Sequence, residues 1–337
     1  MEKTNNHGAL QQPLGSGFSA ASTAEEVIGG IDLSGKVAIV TGGNTGIGMK
    51  TTQILAAAGA TVIVPARDLK KARKNLADIA GVELEAMDLM EPASIDAFAD
   101  RFLASGRPLH LLINNAGIMW VPLERDLRGL ESQLATNYLS QYHLTARLWP
   151  ALKKAKGARV VNVSSAGHHR SAFAFEDPNF LQREYDTLEA YGQSKTASNL
   201  FSLELDNRAK QFHVRAYSLH PGSIYGTELG RRASVDLFKQ MGFFDEEGNM
   251  REEIVAGLKS IPQGAATTVW CATHPGLNDI GGVYCEDADI AELVQADSFS
   301  NSGLESRGVK AWSLDEVAAK RLWELSAAWT GIDFNVR

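Results

Sequence analysis

A doubly wound α/β fold, with helices on both faces of a parallel sheet, is predicted for these 337 residues by three observations. Short, continuously apolar runs alternate with helical stretches along most of the chain, the pattern of buried parallel strands joined by crossover helices. The first run, Val37–Val40, leads directly into a glycine-rich turn and then a helical stretch from Met49 to Ala58. A hydrophobic content of 44% over this length is enough to bury a large core.

The elements follow in order. Residues 1 to about 30 are rich in Gly, Ser, Ala and Gln and lack periodicity until Thr23-Ala-Glu-Glu-Val-Ile. There a Thr with a Glu three residues later is the signature of a short capped helix. This arm is expected to lie on the surface. Strands are predicted at Val37–Val40, Thr61–Val64, Val82–Ala86, Leu109–Ile113, Arg159–Val163, Val214–Leu219 and Gly282–Tyr284. Nothing between Leu33 and Tyr284 has the composition of a linker, so residues 31–337 are expected to form one domain.

Two segments break the rhythm. Residues 234–259 carry Leu237, Phe238, Met241, Phe243 and Phe244 beside an acidic turn, an amphipathic insert after the sixth strand. It is expected to act either as a lid over substrate or as an oligomer contact. Residues 286–337 form a C-terminal extension with a helix from Leu314 to Trp329, on which Val317, Arg321, Leu325 and Ala328 recur at helical spacing.

A formal charge of −7 and a pI near 5.7 give no electrostatic reason for binding nucleic acid or an acidic membrane. Cys271 and Cys285 lack metal-like spacing to another Cys or His, so neither a zinc site nor a disulfide framework is expected. The N-terminus lacks the basic start and apolar run of a secretory signal, and no stretch is long and apolar enough to span a bilayer. A soluble, cytoplasmic protein is the expectation.

Three segments carry the chemistry. In Thr41-Gly-Gly-Asn-Thr-Gly-Ile-Gly48, after the first strand, Gly42, Gly46 and Gly48 let the backbone turn sharply and approach a pyrophosphate held by N–H groups at the helix N-terminus. Asn114-Asn-Ala-Gly117 ends the fourth strand, where small residues let a cofactor lie against the backbone. Tyr191-Gly-Gln-Ser-Lys195 puts a phenol and an ammonium one helical turn apart on one face. Together and in this order, the three resemble the signature of the short-chain dehydrogenase/reductase family, over about Leu33 to Tyr284. The long stretch between Ser165 and Tyr191, with His168, His169, Phe173, Phe175 and Phe180, resembles that family's retinol-dehydrogenase-like branch.

The resemblance implies a Rossmann-type domain and a nicotinamide cofactor in contact with Gly42, Asn44, Thr45, Gly46, Ile47, Gly48, Asp88, Leu89, Asn115, Ala116, Gly117, Tyr191 and Lys195. After the sixth strand it adds Pro221, Gly222 and Ile224. Thr227 is one residue later than the family's usual threonine, which leaves its role open. At the end of the second strand Ala66 stands where NAD-preferring members carry an acid, which frees Arg67 to meet a 2′-phosphate. A charge-assisted bond of that kind contributes roughly 1.5–3 kcal/mol, about a ten- to hundredfold preference for NADP(H). The alternative is a solvated Arg67, with Asp68 serving NAD(H).

The family's catalysis maps onto Tyr191 as acid/base, Lys195 as its tuner, Ser165 as the hydroxyl that polarises a carbonyl, with Ser164 the alternative, and Asn137 as the anchor of a proton relay. Tyrosine needs such help, because its pKa of about 10 makes it a poor base at neutral pH, and a nearby cation lowers a pKa by roughly one to three pH units. The two histidines are read as surface-loop residues in preference to substrate contacts. The expected activity is interconversion of a small, apolar alcohol with its ketone or aldehyde by an NADP(H)-dependent carbonyl reductase, without a metal. The alternatives are an NAD-linked secondary alcohol dehydrogenase and a catalytically silent dinucleotide-binding regulator. The helices near Ala135–Trp149 and Tyr191–Ala209, which form oligomer contacts in many relatives, favour a homodimer unless the added segments cover them.

Overall fold

The apolar runs become strands of a single sheet. In the computed structural model, which describes residues 4–224, 226–294 and 306–336, β1 (Val37–Val40), β2 (Thr61–Ala66), β3 (Val82–Ala86), β4 (Leu111–Asn114), β5 (Ala158–Val163), β6 (Val214–Leu219) and β7 (Val283–Glu286) run parallel. A two-residue β8 (Asp289–Ile290) returns antiparallel to β7. The order is β3-β2-β1-β4-β5-β6-β7-β8, so the direction of winding reverses between β1 and β4 and leaves a crevice at their C-terminal ends. Every predicted run is a strand, with edges moved by one or two residues in β2, β4, β5 and β7. Leu109 gives its N–H to the Ala151 carbonyl instead of the ladder, and Gly282, at φ +68°, lies outside the strand conformation.

The helices are α1 (Ala24–Ile28), α2 (Gly46–Ala57), α3 (Leu69–Asn75), α4 (Pro92–Ala104), α5 (Ser132–Leu134), α6 (Ser140–Lys154), α7 (Thr187–Ala209), α8 (Val235–Gln240), α9 (Glu252–Gly257), α10 (Ile261–Thr273) and α11 (Glu316–Thr330). Two short strands, β9 (Leu293–Val294) and β10 (Val309–Lys310), pair with each other in the extension. Helices α4, α6, α7 and α11 pack one face of the sheet, and α1, α2 and α10 the other. Two covered faces explain why β1, β4, β5 and β6 are buried at every position. At the far end of α7, Asp206 accepts both Arg215 Nε and a terminal guanidinium nitrogen at 2.8 Å, tying that helix to β6. Among the described residues no helix is long and apolar enough to cross a membrane.

Two expectations about the added segments change. The arm contains the capped α1, as read, but it does not merely lie on the surface. Asn5 and Gln11 are buried, Asn5 donates to the Gly282 carbonyl, and Gln11 bonds both the N–H and the carbonyl of Tyr284. Amide side chains can both donate and accept, which suits them to the open polar groups at a sheet edge. The C-terminal helix forms, but turned about its axis: Ala319, Leu322, Trp323 and Ser326 are buried, while Val317 and Arg321 are exposed. Trp323 decides the orientation by stacking on Phe334 at 4.7 Å and meeting Tyr142 and Phe201 edgewise or tilted. The result is that α11 packs along α7 and reaches Tyr142 of α6 through Trp323.

Candidate active site

The crevice between β1 and β4 opens into a cleft of about 700 Å³ at the C-terminal ends of the strands. At one end lies the glycine turn. Gly42 and Gly46 adopt φ of +64° and +53°, and a Cβ at Gly48 would collide with the Asn115 side chain and the Gly42 carbonyl. Thr45, the residue before α2, makes no side-chain cap bond, and the first turn of α2 has no acid. The N–H groups of Gly46, Ile47 and Gly48 therefore face the cleft without a capping side chain, an arrangement suited to a bound anion. Thr227 packs at this same end, beside Gly46.

The turn after β4 forms the floor. The Thr41 hydroxyl accepts the N–H groups of Asn115 and Ala116, both at 3.0 Å, and Asn115 Nδ2 returns a bond to the Thr41 carbonyl. Asn114 bridges β4 to β5 through Asn162 at 2.8 Å. Pro221, Gly222 and Ile224 line the opposite wall with His220, whose Nδ1 accepts the Ala166 N–H; burial pushes His220 down to about 3, so it stands as a neutral imidazole.

Arg67 reaches the cleft wall from the end of β2, with its side chain 69% exposed and its Nε 4.0 Å from Asp88 Oδ2. The neighbouring Asp68 does not line the cleft; it caps α3 by accepting the Lys71 N–H at 2.9 Å. Asn44, Asp88 and Leu89 stay behind the wall as well. Asn44 accepts from Asn75, Asp88 is held in its own turn with Met90 and Ser94, and the Leu89 carbonyl accepts from Ser140.

Tyr191, Lys195 and Ser165 meet at the other end of the cleft. The N-cap Asp186 starts α7 by accepting the N–H groups of Leu188 and Glu189, which fixes the face on which Tyr191 and Lys195 project. Lys195 Nζ donates to the Val163 carbonyl at 2.9 Å and lies 5.5 Å from the centre of the Tyr191 ring. Burial pushes the Tyr191 phenol up to about 12, against a hydrogen bond with the Ser165 side chain, and pushes the Lys195 ammonium down to about 8. The two serines that end β5 divide their work. Ser164 donates to the Lys195 carbonyl at 3.0 Å, whereas Ser165 Oγ accepts the Gly167 N–H at 3.0 Å and keeps its own proton available to the cleft. Gly167 must lack a side chain, because a Cβ would come within 2.8 Å of the Tyr191 ring.

Asn137 is buried behind this group, inside a π-helical turn (Ala135–Leu139) that runs into α6. Its side chain accepts the Ile118 N–H at 2.8 Å and donates to the Ile118 carbonyl and to Ser194 Oγ. A Cβ at Gly117 would lie 3.0 Å from Asn137 Oδ1 and 3.7 Å from Lys195 Nζ, so the glycine leaves room where the two approach. The histidines read as surface-loop residues are buried instead: His168 and His169 pack beneath the cleft, in edge contact with each other, with His168 also against Tyr284. Burial and the nearby His169 hold His168 well below the ordinary imidazole value.

The insert overhangs the open side through Phe238, Met241, Phe243 and Phe244. It is pinned to Trp120, whose ring meets Phe238 at 5.2 Å and Phe243 at 6.1 Å, and the stretch leading into it is held by the ion pairs Arg232–Glu124 and Lys71–Glu228. Trp120 holds φ +55°, a strained conformation for a bulky residue. No motif marks Trp120, Leu188 or Arg170, which also line the cleft. Trp120 lies in a loop, Arg170 ends a 3-10 turn and Leu188 opens α7, and their meeting depends on how the chain folds back, which spacing does not encode.

The model of the short-chain dehydrogenase family matches residues 36–236. The chain is 40% identical over 304 residues to a probable oxidoreductase of Streptomyces lividans, covering 88% of this chain and 98% of the relative. It is 36% identical to retinol dehydrogenase 11 of Mus musculus, covering 90% and 88%. Among solved structures, an uncharacterized protein from Mycobacterium paratuberculosis matches with a TM-score of 0.68 and 30% identity over 94% of this chain and 99% of that one. The RhlG/NADP complex of Pseudomonas aeruginosa shares the fold at a TM-score of 0.57 and 23% identity, over 75% and 94%. With the glycine turn, the Tyr-Lys pair and the serine assembled along one cleft, the chain belongs to the short-chain dehydrogenase family, in its retinol-dehydrogenase-like branch, and is an oxidoreductase of CH–OH substrates.

Proposed function

We propose that this oxidoreductase uses NADP(H) and works as a carbonyl reductase on small apolar ketones or aldehydes. The observation that carries the cofactor preference is the division of labour at the end of β2: Arg67 faces the cleft while Asp68, the residue an NAD-type site would use, is committed to capping α3. The uncapped N-terminus of α2 and the glycines beside it suit a pyrophosphate, and Arg67 suits an added phosphate. When bound, the dinucleotide supplies the hydride.

The side chains supply the rest. Ser165, its oxygen already accepting from Gly167, donates its proton to the carbonyl oxygen and polarises it. Tyr191 is protonated at neutral pH and hydrogen-bonded to Ser165 beside the cleft, so it acts as the general acid. The Lys195 ammonium faces the phenolate that remains, and Asn137 ties the Ile118 loop to Ser194 on α7, the side along which a proton can return. The aromatic insert closes over the substrate and excludes water.

The test is fluorescence titration of the purified protein with NADPH and with NADH at fixed salt. NADPH is expected to bind roughly ten- to a hundredfold more tightly, and Arg67→Ala to erase that difference. Tighter NADH binding would overturn the preference; binding of neither would return the chain to a role without turnover.

A further inference from the structure

The turn that carries Ser165 is tied to a segment near the end of the chain. Ser165 enters the 3-10 turn Ala166–Arg170, and its carbonyl oxygen accepts twice from His168, from the backbone N–H at 3.2 Å and from ring Nδ1 at 2.7 Å. Across the ring, the Lys310 N–H reaches Nε2 at 3.3 Å. A carbonyl oxygen only accepts and a backbone N–H only donates, so both contacts are satisfied by one neutral tautomer with its proton on Nδ1. Two further bonds close the clasp: Trp312 Nε1 donates to the His168 carbonyl at 3.2 Å, and the His169 ring bonds the Gly308 carbonyl at 2.9 Å.

Neither histidine nor any residue of Gly308–Trp312 lines the cleft, and His168 is fully buried. Packing alone would be served as well by an apolar ring, without the cost of desolvating two nitrogens. We propose that His168 is a positioning residue that sets the direction of Ser165 Oγ by clamping the Ser165 carbonyl to the C-terminal segment Gly308–Trp312. The inference rests on the reading of Ser165 as the carbonyl-polarising hydroxyl. Its consequence is that the extension, although outside the cleft, completes the active site.

Three variants and one spectrum test it. In His168→Asn the amide nitrogen replaces Nδ1 and keeps the bond to Ser165; in His168→Gln the amide oxygen replaces Nε2 as acceptor from Lys310 and the bond to Ser165 is lost; His168→Phe loses both contacts. With NADPH and a panel of aromatic and aliphatic aldehydes, kcat is expected to fall by roughly ten- to a hundredfold in the Gln and Phe variants, the scale of a small misplacement of a catalytic group. The Asn variant should stay within about fivefold of the native rate, and NADPH affinity within about twofold in all three. A merely structural histidine would lower the melting temperature without producing this order. Independently of turnover, nitrogen NMR of histidine-labelled protein should show His168 as the Nδ1–H tautomer. An Nε2–H tautomer, or a native kcat in His168→Phe when Ser165→Ala abolishes turnover, would overturn the proposal. Full turnover in Ser165→Ala would instead remove the reading of Ser165 on which it stands.

Discussion

Tyr191 and Lys195 are displaced in opposite directions by the same burial, the phenol up to about 12 and the ammonium down to about 8. A phenol in that state is an acid at any working pH, which favours giving a proton to a carbonyl over taking one from an alcohol. The lysine sets the upper limit: it is charged below about pH 8 and neutral above, so the partner of the phenolate disappears as pH rises. We therefore expect kcat/KM for NADPH, which reports groups of the free enzyme, to be level below about pH 7 and to fall roughly tenfold per pH unit above 8. Initial rates across that range check it, and a level profile to about pH 10 would show that Lys195 keeps its proton there. At this scale much of the site was legible. A Tyr and a Lys four apart, and serines closing a buried strand, are statements about local geometry that a sequence makes directly. His168 was misread because the group that meets its Nε2 is 142 residues further along the chain, at Lys310.

Between elements, the insert shows what spacing does not convey. Its phenylalanines identified it as amphipathic, yet the residue it closes upon, Trp120, sits in the loop after β4 with nothing in its neighbourhood to mark it. Aromatic pairs of this geometry contribute about 0.5–1.5 kcal/mol each beyond their buried area. Trp120→Ala removes two, and KM for an apolar aldehyde is expected to rise roughly tenfold while NADPH affinity is unchanged. Steady-state kinetics and a cofactor titration on the same preparation separate the two effects; an unchanged KM would mean that the insert closes without this contact. The central strands, by contrast, were readable because burial on both faces writes itself as a mostly apolar run, whereas the edge strand β3 reads as an alternation of Val82, Leu84 and Ala86 with two glutamates. The face of α11 was not, because helical spacing also fits a stripe through Val317 and Arg321, and only the stacking of Trp323 on Phe334 selects the other.

For the molecule as a whole, α11 supplies the apolar cover that α6 and α7 would otherwise seek from a second copy. The intact chain is expected to sediment as a monomer of 36.4 kDa. Trp323→Ala opens that seam at a cost of about 3–5 kcal/mol, the range for losing a buried Trp, visible as a lower denaturation midpoint and as concentration-dependent self-association. A native dimer in sedimentation velocity, unaltered by the substitution, would show that another surface joins the copies. Both ends of the chain also converge on the same part of the sheet, through Gln11 on Tyr284 and Lys310 on His168. That convergence has a consequence in time. During synthesis at roughly 5–20 residues per second, the interval between the emergence of His168 and that of Lys310 is on the order of ten seconds. For most of it the nascent chain carries its glycine turn and its Tyr-Lys pair but not the clasp behind Ser165, so the site is complete only once the segment Gly308–Trp312 has emerged.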